Sequence, residues 1–458
     1  MFSLPAPDGY PVGSTTFITS VNPPVTAGSA KIKRNGRLLL DEICFTAYYP
    51  CDVPPKKAKK GPPWLSRPLS VDQRGYALFL GLRYWLSVVI TWPLVYLYGQ
   101  FVEIPAYVNA PLQSPPSSKK WPLVIFSHGL GGSRTAYSQI CTRIAASGRI
   151  VLAIEHHDGS AHAAVANSAE SGSKRAILYV NTKDASWESE ITHPELDAPP
   201  PLPLRTDQLV IRRHEVYHTF ETFSRFLKGE KDVEIRSVDG SEIPLSSWIP
   251  QDSGVPLVDL EHLQLAGHSF GGCTLFSILS THPPERYEPL PVSTCLVLDP
   301  WMDPFPSPGP VPLKQMHKAS DEQSALNGNG APHDDMTGKL PRMLIINSEG
   351  FTLWTDHFER LQLAAKAFGA TLLTLGRNKT SVKLMGMIAT LSVQFLDGES
   401  LDTNESVQSA LDQALHESHT KVRILNSVPE KIVVGKWGDG SDKHKMVGNL
   451  GDVIIHLD

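Results

Sequence analysis

The chain has 458 residues, of which 41% are hydrophobic and 19% charged, a composition typical of a globular protein with a large core. Its 42 basic and 47 acidic residues give a net charge of −5, so the charge does not favour a polyanionic partner such as nucleic acid. The five cysteines are scattered and lack zinc-ligand spacing, which indicates reduced, structural thiols.

Two features bear on location. The N-terminal residues show no basic stretch followed by an apolar one, so we expect no secretory signal and an intracellular, cytoplasmic protein. Residues 76–98, YALFLGLRYWLSVVITWPLVYLY, are long enough to span a bilayer, but Arg83 and Pro93 interrupt them. A central arginine costs about 2.5–3.5 kcal/mol on insertion scales. We therefore favour a helix of the folded domain or a peripheral membrane anchor over a transmembrane helix.

Short apolar runs without polar alternation recur along the chain, as is typical of strands buried on both faces of a parallel sheet. They are residues 122–126, 150–154, 263–266, 294–298, 343–346 and 371–375. Candidate crossover helices at 207–227 and 353–368 carry large apolar side chains near one face. This alternation predicts an α/β fold, a mostly parallel sheet with helices on both faces.

We expect residues 1–400 to form this α/β domain. Polar and proline-rich sequence near 168–204 and 304–341 predicts surface insertions, and residues 56–63 predict a basic loop. Residues 401–458 are polar and weakly patterned, and we expect this C-terminal tail to lie outside the core.

Residues 267–271, GHSFG, match the GxSxG pattern and directly follow the apolar run at 263–266. A tight turn from strand to helix requires small residues beside the serine, and Gly267 and Gly271 supply them. Such a turn would project Ser269 at the N-terminus of a helix, whose dipole favours developing negative charge. We interpret Ser269 as a nucleophile; an ordinary glycine-rich turn is the alternative.

The sequence SHGLGG at 127–132 follows another predicted strand, where hydrolases have the loop that supplies an oxyanion donor. We expect the backbone N–H groups of Leu130 and Phe270 to form the oxyanion hole. Losing one such donor typically costs about 2.7–4 kcal/mol. His128 is expected to brace this loop through hydrogen bonds and is not interpreted as the catalytic histidine.

Asp299 follows the run at 294–298, a position that suits the acid of a Ser–Asp–His triad. Asp303 is a second choice, and a simple turn residue before Pro300 is the alternative.

The sequence EHHDGSA at 155–161 carries four potential metal ligands in a row. Zinc needs three or four ligands in a tetrahedral arrangement, and no second cluster lies at ligand spacing. We therefore expect a structural or substrate-shaping loop, with neither a metal nor another cofactor.

Five motifs in order, FSHGLGGSRTAYS, IEHHDGSA, GHSFGGCT, LDPWM and MLIINSEGF, resemble the platelet-activating-factor acetylhydrolases, the plasma and intracellular type II group. The resemblance runs from about residue 11 to about 395. It implies an α/β-hydrolase fold and a calcium-independent, phospholipase A2-like serine esterase. Such an enzyme hydrolyses the short or oxidised sn-2 acyl chain of phospholipids, as a 1-alkyl-2-acetylglycerophosphocholine esterase does. It implies the same roles for Ser269, Asp299, Leu130 and Phe270, and it agrees with membrane contact through 76–98.

The sequence departs from the family where the catalytic histidine is expected, in a Gly-x-x-His loop just after the last core strand. Residues 376–380 read GRNKT, and no histidine occurs between His357 and His416. We do not expect substitution by His357 or by the histidines of the tail, which are His416, His419, His444 and His456. The catalytic histidine is therefore not identifiable. In a comparable triad, losing the histidine costs on the order of a millionfold in kcat.

Three hypotheses follow. The chain is an active esterase, or a catalytically impaired hydrolase-fold protein that binds lipid or a partner, or a defective gene model of an active enzyme. Sequencing the transcript across codons 370–385 separates the last two.

Overall fold

A computed structural model of the protein describes the following residues: 2–33, 36–53, 61–116, 119–167, 174–187, 200–238, 242–249, 256–313, 339–376, 381–415, 422–425, 430–436, 442–446 and 452–456. Much of the expected insertions lies outside this part, namely 168–173, 188–199 and 314–338, as does most of the basic loop at 56–63.

The described residues form strands and helices that alternate through most of the chain. The strands are β1 (Phe2–Ser3), β2 (Val12–Ile32), β3 (Gly36–Pro50), β4 (Val102–Glu103), β5 (Tyr107–Val108), β6 (Trp121–Ser127), β7 (Ile150–Glu155), β8 (Ala163–Asn167), β9 (Lys174–Leu178), β10 (Ala185–Ser186), β11 (Ile235–Ser237), β12 (Val258–His268), β13 (Val292–Leu298), β14 (Arg342–Ser348), β15 (Thr371–Leu375), β16 (Val422–Leu425), β17 (Lys431–Lys436), β18 (Asp442–Met446) and β19 (Val453–His456). The helices are α1 (Leu69–Phe79), α2 (Tyr84–Leu97), α3 (Ser138–Ala146), α4 (Pro203–Leu227), α5 (Leu245–Trp248), α6 (Phe270–Ser280), α7 (Glu349–Thr352), α8 (Thr355–Phe368), α9 (Ser381–Leu396) and α10 (Asn404–Leu415).

One large sheet organises the fold, with the strand order β10-β2-β3-β7-β6-β12-β13-β14-β15-β19-β16. The six neighbours from β7 to β15 run parallel, whereas β2, β3 and β7 pair antiparallel. All six predicted strands and both predicted crossover helices are present. The predicted α/β fold, with a mostly parallel sheet, is confirmed.

Side chains alternate between the two faces of the sheet and enter two separate cores. In β6, Leu123 and Ile125 belong to a core that includes Phe223 of α4, whereas Val124 and Phe126 belong to the core on the other face. Such strands are apolar throughout because helices cover both of their faces.

The chain after residue 400 contributes to this core. Helix α10 buries Val407 and Leu411, and β19 buries Val453 and Ile455. β19 pairs with β15, and β16 pairs with β19, so both strands extend the main sheet. The expectation that the tail lies outside the core is therefore wrong for α10 and β19, whereas β17 is exposed along its length. The division of the chain at residue 400 stays a prediction.

The apolar segment at 76–98 is divided between two helices. Its first residues end α1, and Arg83 precedes the start of α2. With 14 residues, α2 is about 21 Å long, shorter than the roughly 30 Å of a bilayer core. Within the described residues, no helix combines the length and the apolar character needed to cross a membrane.

Candidate active site

Three of the predicted site loops follow neighbouring parallel strands. Gly267 at the end of β12 pairs with Ser127 at the end of β6. On the other side of β12, His268 pairs with Leu298 at the end of β13. The carboxyl ends of these strands therefore meet at one edge of the sheet, where α/β folds have their ligand sites.

Ser269 lies at a strained turn between β12 and α6. Its backbone angles are φ 53° and ψ −116°, a conformation that non-glycine residues rarely adopt and that costs about 1–3 kcal/mol. The Ser269 N–H donates to the carbonyl oxygen of Leu298 at 2.9 Å, and its own carbonyl oxygen accepts from Cys273 N–H at 3.0 Å. This geometry is that of a nucleophile elbow, in which the surrounding backbone holds the strain.

The turn requires glycine on both sides of the serine. A Cβ atom at Gly267 would lie 2.6 Å from the carbonyl oxygen of Gly271. A Cβ atom at Gly271 would lie 1.9 Å from the carbonyl oxygen of Ser127. The predicted need for small residues at these positions follows from these two close backbone approaches.

The loop after β6 packs directly against the elbow. A Cβ atom at Gly129 would lie 3.0 Å from the Cβ atom of Ser269. Gly132 N–H donates to the Gly129 carbonyl oxygen at 3.0 Å and closes a tight turn around Leu130. Phe270 begins α6, and the first N–H groups of a helix have no partner within it. The backbone N–H groups of Leu130 and Phe270 therefore belong to two segments that meet at Ser269.

His128 makes the bracing contacts expected of it. Its Nδ1 lies 2.8 Å from the carbonyl oxygen of Gly129, and its Nε2 accepts a hydrogen bond from His156 N–H at 3.2 Å. Burial lowers the pKa of His128 well below its usual range. It is a neutral, buried side chain of the loop.

Asp299 lies just after β13 and also has a positive φ, of 43°. One carboxylate oxygen accepts a hydrogen bond from Ser348 N–H at the end of β14. Burial raises the pKa of Asp299 to about 6, an effect that the bond from Ser348 partly offsets. The backbone connects the acid to the elbow, because Trp301 N–H donates to the Ser269 carbonyl oxygen at 3.1 Å.

Asp303, the second choice for the acid, is bonded elsewhere. Its carboxylate accepts from the indole N–H of Trp301 at 3.2 Å and lies 3.6 Å from a guanidinium nitrogen of Arg360.

The sequence analysis missed two residues of the site, His268 and Tyr137. His268 Nδ1 lies 2.7 Å from the Tyr137 hydroxyl, which also accepts from Gly129 N–H at 3.3 Å. His268 Nε2 lies 3.9 Å from Asp299 Oδ2, beyond hydrogen-bond range. Burial lowers the pKa of His268 to about 4. His268 directly precedes the serine in the GxSxG motif, which indicates that it lies near the site. The sequence does not show in which direction its side chain points.

The other candidate histidines are engaged away from Ser269 and Asp299. His357 Nε2 accepts from Met302 N–H at 2.9 Å, and His456 Nε2 lies 2.8 Å from Thr374 Oγ1. His456 is part of β19, not of an unpatterned tail, and His444 is part of β18. Within the described part of the chain, no histidine forms a hydrogen bond with Asp299. Residues 377–380, His416 and His419 lie outside that part.

The residues of the EHHD loop are bonded to protein groups. Asp158 pairs with Arg212 at 3.0 Å, and His156 pairs with Glu215. His157 Nδ1 lies 2.8 Å from the carbonyl oxygen of Glu42. Among the described residues, no group of three or more histidine, cysteine or acidic side chains is arranged to hold a metal ion.

The sheet topology and the strained serine after its central parallel strand define an α/β-hydrolase. The family model for platelet-activating factor acetylhydrolase, isoform II, matches residues 12–314, which is more than half of the chain. The protein therefore belongs to the platelet-activating factor acetylhydrolase family, a family of hydrolases.

Several relatives carry the same name. Platelet-activating factor acetylhydrolase from Cavia porcellus is 35% identical over 213 residues, 45% of this chain and 40% of that protein. Its Bos taurus counterpart is 32% identical over 234 residues, 49% of this chain and 45% of that protein. The match thus spans less than half the length of each relative. A ferulic acid esterase structure from Streptomyces cinnamoneus covers 91% of this chain and 93% of its own at 14% identity, with a TM-score of 0.44, too low to bear on function.

We predict that Ser269 is the only serine of the protein that reacts with an organophosphonate, because it lies at the strained turn between β12 and α6, beside the loop that carries Leu130. Peptide mapping by mass spectrometry identifies the labelled residue. Ser277→Ala, a matched change on α6, should keep the label, and Ser269→Ala should lose it. Label on a peptide without Ser269, with Ser269→Ala labelled equally, contradicts the assignment.

The raised pKa of Asp299 predicts a pH dependence of this reaction. With a pKa of about 6 in the folded protein, the carboxylate is half protonated already near pH 6. Its negative charge, which would stabilise whichever group takes up the Ser269 proton, water included, is present above that pH and lost below it. The rate of labelling should therefore fall as the pH drops through about 6. The Asp299→Asn variant should be labelled slowly, and its labelling rate should not change near pH 6. If the rate of this variant still falls near pH 6, Asp299 is not the group responsible.

Proposed function

We propose that the protein is a calcium-independent serine esterase that hydrolyses the short or oxidised sn-2 acyl chain of phospholipids. The observation that carries the proposal is the strained Ser269, which packs against the loop at Leu130 and whose backbone bonds Leu298 and Trp301 on either side of Asp299. A backbone strain of this kind persists only where the surroundings enforce it, and it is concentrated at functional sites. Family membership supports the choice of a phospholipid ester as the substrate.

The proposed chemistry is an acyl transfer in two steps. The Ser269 hydroxyl attacks the sn-2 carbonyl carbon, and the N–H groups of Leu130 and Phe270 bind the oxyanion that develops. The lysophospholipid leaves, and water then hydrolyses the ester between the acyl group and Ser269. Asp299 would orient and stabilise a protonated imidazole during both proton transfers. None of these steps needs a metal ion, which is the basis for proposing calcium independence.

A second candidate function is that of a catalytically impaired hydrolase-fold protein that binds lipid or a partner. It is favoured by the bonding of His357 to Met302 and of His456 to Thr374, which leaves neither as the base. It is also favoured by the sequence at 376–380, which has no histidine. A serine without a general base is a weak nucleophile, although an oxyanion hole alone retains some catalysis.

Helix α2 supports a proposed peripheral contact with the lipid surface. Its large side chains are exposed to an unusual degree: Trp85 is 62% exposed, Val89 65% and Leu94 61%. An apolar patch of this kind is typical of an interaction site, and tryptophan and tyrosine suit the headgroup region. Through these exposed side chains α2 would hold the protein at a membrane without spanning it. The intracellular location expected from the sequence stays a prediction.

We predict that the purified 458-residue protein is a very weak esterase. Without a histidine to accept the Ser269 proton, turnover of a short-chain sn-2 phospholipid should lie far below the ordinary range of about 1–1000 s⁻¹. The remaining rate should disappear in Ser269→Ala and should survive EDTA. Ordinary turnover that Ser269→Ala abolishes would show that a histidine of the chain acts as the base. Loss of activity in EDTA, restored by calcium or zinc, would contradict the metal-free mechanism.

We also predict that α2 binds membranes reversibly. Ile90→Asp with Leu94→Asp should reduce cosedimentation with phosphatidylcholine vesicles about tenfold or more. Ile90 and Leu94 are one turn apart on α2 and are 60% and 61% exposed, so both charges would enter the lipid-facing side. Leu363→Asp is the matched control, because Leu363 is 54% exposed on α8, outside α2. This variant should bind the vesicles normally. In fractionated cells, a carbonate wash should release the protein. Retention in the washed pellet contradicts a peripheral contact, and equal loss of binding in Leu363→Asp contradicts the assignment to α2.

A further inference from the structure

A charged side chain, that of Arg212, is buried in the interior behind the elbow. Arg212 of α4 is fully buried, and its guanidinium pairs with the buried carboxylate of Asp158 at 3.0 Å. A buried ion pair is often no more stabilising than an apolar pair of similar volume, because both charges lose their hydration. The ion pair alone therefore does not explain why an arginine is buried at this position, where it also contacts other neighbours.

Arg212 holds the loop of the oxyanion hole on both sides of Leu130. Before Leu130, the guanidinium donates to the carbonyl oxygen of His128 at 2.8 Å. After Leu130, it acts through Ser160: it donates to Ser160 Oγ at 2.7 Å, and the Ser160 carbonyl oxygen accepts from Gly131 N–H at 2.7 Å. The peptide groups that flank the N–H of Leu130 are thus fixed relative to one guanidinium.

The same group also contacts the second donor segment. The guanidinium carbon lies 4.3 Å from the centroid of the Phe270 ring, which it overlies. One turn further along α6, a guanidinium nitrogen lies 3.4 Å from Thr274 Oγ1. Arg212 therefore touches the start of the helix whose first N–H belongs to Phe270.

From these contacts we propose that Arg212 is a positioning residue, which holds the N–H groups of Leu130 and Phe270 at the separation that one oxyanion requires. The proposal rests on the proposed esterase function. A planar guanidinium with five donors can reach His128, Asp158 and Ser160 at once, whereas a lysine ammonium cannot hold the same fork. Because an oxyanion hole acts only when both donors are preorganised, a small displacement of either one slows acyl transfer.

The test compares Arg212→Lys with Arg213→Lys. Arg213 is the next residue of α4 and is also buried, but it bonds Thr281 at the far end of α6. Since removing Arg212 leaves Asp158 without its partner, the double variant Arg212→Met with Asp158→Asn removes both charges and guards against a failure to fold. Two quantities are measured, the reaction of Ser269 with a p-nitrophenyl phosphonate and amide hydrogen exchange.

Both Arg212 variants should lower the limiting rate of phosphonylation by about 10- to 100-fold, a part of the loss seen on removing an oxyanion donor. The half-saturating probe concentration should change by less than about twofold, because Arg212 is fully buried and would not contact the bound probe. Hydrogen exchange should accelerate in 128–131 and in 270–274 together. Arg213→Lys should leave the rate and both exchange patterns within about twofold of the natural protein.

The proposal is overturned if a folded Arg212 variant keeps its rate and its exchange pattern, or if Arg213→Lys changes them equally. It is also overturned if only the half-saturating concentration changes. A natural protein that does not react with the phosphonate contradicts the esterase function instead. In that case hydrogen exchange at 128–131 and 270–274 still decides whether Arg212 holds the two segments.

Discussion

The close approach of α6 to the end of β6 is the contact on which the site depends. A single added carbon at Gly271 would lie 1.9 Å from the Ser127 carbonyl oxygen, so the helix can pack here only with glycine at this position. This contact joins the elbow to the loop that carries Leu130. The short connection leaves Ser269 with a positive φ, and the rest of the sheet must supply the free energy that holds it. The parallel strands β6, β12 and β13 do so, because their buried side chains fix where the three loops begin.

Three buried residues behind the site show that a hydrogen-bond pattern alone does not define a catalytic triad. Ser127 Oγ lies 2.8 Å from His156 Nε2, and His156 Nδ1 is bonded to Glu215. These are the contacts of a serine–histidine–acid triad, yet all three side chains are buried and no substrate can reach them. Burial raises the pKa of Glu215 and lowers that of His156, which favours the neutral forms of both. The triad-like set serves packing, and Ser269 differs from Ser127 in its partly exposed, strained position.

The sequence predicted the parts of the fold that follow local rules. Apolar runs predicted six parallel strands, and the GxSxG pattern with its preceding strand predicted the turn at Ser269, because periodicity and glycine act over a few residues. The long antiparallel hairpin of β2 and β3 was not predicted, although its two strands are adjacent in the chain. The entry of β19 into the sheet was not predicted either, because it depends on pairing with β15, far earlier in the chain. Arg212 was missed for a related reason. A charged residue in a helix is ordinarily exposed, and only the buried partner Asp158, brought in from another loop, makes its burial possible.

The bonding of Asp299 bears on the absence of a histidine from residues 376–380. Its pKa of about 6, against an ordinary 3.8, corresponds to about 3 kcal/mol of unfavourable burial of the charged form. One carboxylate oxygen accepts from Ser348 N–H, while Oδ2 has His268 Nε2 at 3.9 Å, too far for a hydrogen bond. In a complete triad an imidazole N–H donates to this acid and offsets part of that cost. The Asp299 side chain is 18% exposed, so contact with water also offsets part of that cost. The triad role proposed for Asp299 therefore depends on an imidazole N–H donor at Oδ2, which no described residue supplies.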